Sequence, residues 1–89
     1  MATAVNVYAR DGFVPIASYD ADNGNDVTNN TTTCLKFALS KNNVLVDGTI
    51  QECCPGKTIN FASGQDADSI VVFDQYHKSV IDLDYIYAE

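Results

Sequence analysis

Apolar residues in this chain recur mainly at every second position. Val5 and Val7 alternate with Asn6 and Tyr8, and Ile59 and Phe61 alternate with Thr58 and Asn60. A period of two is that of a strand with one face turned to a core. Val14 and Ile16 continue the pattern after Asp11-Gly12, and an Asp-Gly pair between alternating runs is a strong short-range hairpin signal. The pattern therefore predicts strands at 3–10 and 13–19, paired with each other. Residues 19–33, YDADNGNDVTNNTTT, offer almost nothing to bury. They read as a long surface loop, ending at most in an edge strand.

Residues 34–40, CLKFALS, place Leu35, Phe37 and Leu39 on one face and Cys34, Lys36 and Ala38 on the other. Leu35 and Leu39 also stand four apart, with Thr32 or Thr33 able to cap, so a short helix near residues 33–41 is the alternative. NVLV and GTIQECC flank Asp47-Gly48, and KTINFAS follows Pro55-Gly56, which predicts a three-strand meander from 43 to 63. The last third holds two apolar runs, read as a hairpin turning at 76–78. In its second arm Ile81, Leu83, Tyr85 and Tyr87 would face inward and Asp82 and Asp84 outward. The expectation is an all-β fold: a small antiparallel sandwich or barrel of about seven short strands.

The chain has 89 residues, which is one domain, 1–89, with room for one modest core. Its net charge is −7, which repels polyphosphate and anionic lipid surfaces, so neither nucleic acid nor membrane is an expected partner. The charge is uneven: residues 66–89 carry Asp66, Asp68, Asp74, Asp82, Asp84 and Glu89 against Lys78 alone, a net −5. MATAVNVYARDG lacks the basic and apolar regions of a secretory signal. The protein is expected to be made in the cytoplasm without a signal peptide. The overlapping sequons at Asn29 and Asn30 then read as polar loop.

QECCPGK at 51–57 is the most chemically loaded stretch. Adjacent cysteines in a strand point to opposite faces, so Cys53 and Cys54 are not arranged to grip one metal together. Pro55-Gly56 fits the two central positions of a type II turn from Cys54 to Lys57. The pair therefore reads as a structural turn, with Cys54 on the face of Ile50. A disulfide from Cys34 to Cys53 or to Cys54 is one alternative, and a metal set adding Cys34 and His77 is another. His77 is the only histidine and lies in the polar stretch QYHK. No nucleophile stands in a recognisable context and no phosphate-binding glycine motif is present, so no catalytic residue, cofactor or enzyme activity is expected.

DADNGND brings Asp20, Asp22 and Asp26 near a glycine, the nearest approach to a calcium loop. Gly24 is one position too early for an EF-hand and the closing glutamate is missing, so the three are weak metal candidates. Tyr8, Tyr19 and Tyr76 are expected near the surface, where tyrosine suits interfaces. With Asp82 and Asp84 they form the candidate interaction set.

Three functional classes follow. The first is a non-enzymatic assembly protein, a capsid-decorating or other phage virion subunit that meets protein partners as a homo-oligomer or in a larger assembly. The second is a small acidic inhibitor that blocks a basic, nucleic-acid-binding cleft. The third is a calcium-dependent or carbohydrate-binding module built on the acidic loop.

Overall fold

The computed structural model describes residues 3–9, 16–73, 76 and 83–88. The strands are β1 (Thr3–Ala9), β2 (Ala17–Ser18), β3 (Asn25–Asn29), β4 (Leu35–Lys41), β5 (Val44–Leu45), β6 (Gln51–Cys53), β7 (Thr58–Phe61), β8 (Ser69–Phe73) and β9 (Leu83–Ala88). They form two sheets: one in the order β7-β3-β1-β9, the other β2-β8-β4-β5 with β6 also on β4. The protein is all-β, and the two sheets pack as an open sandwich, not a closed barrel. One pairing departs from the antiparallel expectation: β1 and β3 run parallel, Val5 opposite Val27.

The core takes residues from both sheets: Val27 and Phe61 from one, Ala17, Leu35, Phe37, Leu39, Cys53, Ile70 and Val72 from the other, with Ile16 and Tyr19 flanking β2. Each large side chain removed from water contributes roughly 1.5–3 kcal/mol. β4 is the spine of the second sheet, with Leu35, Phe37 and Leu39 on the core face and Ala38 and Ser40 also buried. Residues 33–41 contain no helix, because β4 finds partner strands on both sides: β8 along one edge, β5 and β6 along the other.

Three pairings differ from the sequence expectation. β1 does not pair with β2, because β3 and β9 occupy its two edges and β2 pairs with β8 in the other sheet; the rest of the expected hairpin, 10–15, lies outside the described residues. The 43–63 meander is divided: β5 and β6 lie on β4, while β7 crosses to β3. The last two apolar runs also separate, β8 into one sheet and β9 into the other. A turn residue dictates that the chain reverses; it does not dictate that the next strand stays in the same sheet.

The long polar loop is also corrected, since it contains β3, an interior strand of the first sheet. Asn25, Val27 and Asn29 of β3 are fully buried. Burying two asparagines is tolerable only where their polar atoms find partners. The Asn25 carbonyl Oδ1 accepts the Asp20 backbone N–H at 2.8 Å, and Asn29 is bonded through both ends of its amide.

β5 and β6 behave as one edge strand with an insertion. Moving along β4 from Ser40 to Phe37 takes three steps, but the matching partners run from Leu45 to Gln51, six steps. The extra residues form a turn in which Thr49 N–H donates to Val46 O at 3.3 Å and Gly48 takes a φ of 79°. Before it, the Asn42-Asn43 turn joins β4 to β5 with φ values of 51° and 66°, the left-handed pair that a two-residue hairpin requires.

Candidate functional site

The densest chemistry lies where the 30–34 loop meets the 53–57 turn. Cys34 and Cys54 form a disulfide, so the alternative pairing of Cys34 with Cys54 replaces the purely structural turn as the reading of this stretch. The ladder explains the choice. Leu35 pairs with Cys53 and Lys36 with Glu52, so one step further the residue opposite Cys34 is Cys54. Cys53, on the other face, points into the core and is a free buried thiol. It donates to Lys57 O at 3.2 Å, and burial pushes its pKa up. The turn itself is as expected: Lys57 N–H reaches Cys54 O at 3.0 Å and Gly56 has a φ of 79°.

Asn29 holds this region together from the opposite sheet. Its Nδ2 donates to Thr33 O at 2.8 Å and to Cys53 O at 2.7 Å. Its Oδ1 accepts the Thr31 backbone N–H at 2.8 Å and the Thr31 hydroxyl at 2.5 Å. The Asn29 backbone donates to Lys57 O at 3.1 Å and accepts from Gly56 N–H at 2.8 Å. One buried residue thus fixes both segments that carry the bridge. Of the two sequon asparagines, Asn29 is enclosed and Asn30 is exposed.

The acidic loop is arranged by its own backbone. Asp20 Oδ1 accepts the N–H groups of Asp22 and Asn23 at 3.0 and 3.2 Å, and Oδ2 accepts Asn23 Nδ2 at 2.7 Å. The Asn23 side chain and the Asp22 backbone hold the Asp20 carboxyl below its usual range. Asp22 is exposed, while Asp26 sits on β3 with Oδ1 accepting from Asn60 Nδ2 at 2.7 Å. Among the described residues no group of three or more metal-ligating side chains is assembled.

The candidate interaction residues differ in where they lie. Tyr76 is 72% exposed. Tyr19 is not at the surface: it is 7% exposed, its hydroxyl donates to Ala62 O, and it accepts from Gln65 N–H at 3.4 Å. Tyr8 lies on β1 in register with Asp84 on β9. Asp82 and His77 lie outside the described residues. Two apolar residues that the sequence pattern did not single out project into solvent: Val44, 67% exposed at the β4–β5 turn, and Ile50, 41% exposed before β6. Val44 had a signal in Asn42-Asn43, since the residue after a two-residue turn opens an edge strand. No family model, curated protein or solved structure matches this chain.

Proposed function

We propose that this protein is a non-enzymatic assembly subunit, a capsid-decorating or other virion structural protein that acts through protein–protein contacts. The observation behind this reading is that Tyr76 and Val44 are largely exposed although the core holds many smaller or similar apolar residues at 0–3% exposure. Large apolar and aromatic groups held in water on a small domain suit docking against a protein neighbour. The Cys34–Cys54 bridge adds support, because disulfides persist outside reducing compartments, where a released particle has to survive.

Light scattering of the purified protein at high micromolar concentration tests this. An oligomer that survives about 0.5 M NaCl is expected, because apolar and backbone contacts are not screened as exposed charges are. Tyr76→Ala and Val44→Asp should shift it toward monomer. A 9.7 kDa species that never self-associates, and that binds a basic protein with steep salt dependence, would favour the acidic inhibitor instead.

A further inference from the structure

Contacts other than the covalent bond also bring Cys34 and Cys54 together. The Asn29 amide nitrogen donates to the carbonyl oxygens of Thr33 and Cys53, the residues that immediately precede the two bridged cysteines. The β4–β6 ladder independently sets Leu35 opposite Cys53, which puts Cys34 and Cys54 at the next paired position. Both bridged residues are only half-buried, whereas Cys53 is 1% exposed and faces the core.

We propose that Asn29 is the template for this bridge: it sets Cys34 against Cys54 in the already folded, reduced chain, which a small-molecule disulfide then oxidises at that pair alone. The step balances. The thiolate of one half-exposed cysteine attacks the small disulfide, forming a mixed disulfide and releasing one small thiolate. The second cysteine's thiolate attacks the protein-bound sulfur and releases the other. Two protein thiols are oxidised, one small disulfide is reduced to two thiols, and the protons pass to the released thiolates. Cys53 has no part in this, because its sulfur lies on the opposite face of the strand and is enclosed by the core. The arrangement lets a chain fold under reducing conditions and gain its covalent bond later, and it holds whether or not the protein is an assembly subunit.

The test begins with the reduced wild-type protein, freed of reductant without air. A native β-sheet circular dichroism spectrum and a cooperative urea transition are expected. Adding glutathione disulfide should give only the Cys34–Cys54 bridge by peptide mapping, with Cys53 alkylated only after denaturation. Asn29→Asp keeps the shape but loses both donated bonds. It should close at least roughly tenfold more slowly, or give mixed pairings, as two lost hydrogen bonds imply. Thr49→Val, destabilised away from the cysteines, serves as the control and should close at the wild-type rate whenever it is folded. An unfolded reduced wild type, a mixture of bridges in the wild type, or an Asn29→Asp protein that closes as fast and as cleanly as wild type would each overturn the proposal.

Discussion

The hydroxyl of Thr49 accepts the backbone N–H of Leu39 at 3.1 Å and donates to Val46 O at 2.7 Å. A side chain here takes the place of a strand partner at the point where the edge strand bulges away from β4. Thr49→Val should leave the buried Leu39 N–H without its partner and cost about 1–3 kcal/mol. Thr49→Ser should cost clearly less. Urea denaturation of the three proteins measures the difference.

Gly24 has a φ of 73°, and a Cβ there would stand 2.6 Å from Phe61 O and 3.0 Å from Ser63 N, both backbone atoms. Neither atom belongs to a flexible side chain that could swing aside. Gly24→Ala should therefore lose more than the roughly 1–2 kcal/mol of the left-handed conformation alone. Gly48→Ala, with a similar φ of 79° and open space around it, should show only the conformational part. A difference in thermal midpoint between the two variants reads the clash.

The Cys34–Cys54 bridge closes a loop between residues 20 apart, for which the chain-entropy account gives about 3 kcal/mol of stabilisation. Reduction, or the double change Cys34→Ala with Cys54→Ala, should lower the midpoint by roughly 10–25 °C for a domain of this size. Cys53→Ala should leave the bridge intact and cost only the packing of one buried sulfur and its weak hydrogen bond to Lys57 O. Scanning calorimetry with and without reductant distinguishes these cases.

Asp20 titrates below the ordinary carboxylate range in the folded state because Asn23 and the Asp22 N–H bond its charged form. A folded pKa below the unfolded one means that the native state binds fewer protons. The Asp20 contribution is thus fully present above the unfolded pKa and disappears as pH falls through the lower, folded value. Stability measured by urea from pH 6 to pH 2 should fall more steeply in the wild type than in Asp20→Asn. Parallel curves would show that the carboxylate charge has no role in the 20–24 loop.

The strands that were legible in the sequence are those whose inward residues are apolar. Phe37 and Leu39 announce β4, Ile59 and Phe61 announce β7, and Ile70 and Val72 announce β8. β3 was not legible, because two of its three inward residues are asparagines, a type that is depleted in strands and enriched in loops. What makes Asn29 a core residue is its set of partners at Thr31, Thr33 and Cys53, and those exist only once the chain has folded. The disulfide stood only as an alternative, with its partner undecided, for the same reason. Strand alternation excludes a shared role for Cys53 and Cys54 but cannot say which lies opposite Cys34; only the β4–β6 register decides it. Tyr19 shows the limit of reading exposure from residue type, since its hydroxyl meets its partners at 62 and 65 through a contact more than forty positions away.

The antiparallel pairing of β1 with β9 runs from Ala9–Leu83 to Ala4–Ala88, so joining the end of β9 to the start of β1 would make these two strands a hairpin. A linker of roughly two to five residues from β9 back to β1 would supply one, and the exposed Asp47-Gly48 turn offers a place to open new ends. In such a circular permutant the pairing that now joins the most distant parts of the sequence becomes local. The same cut sends β4–β6, β4–β8 and β3–β7 further apart along the chain, and long-range pairings must wait for their loops to close, so the rearranged chain should start folding at the β1–β9 edge instead of around β4, with little change in overall rate.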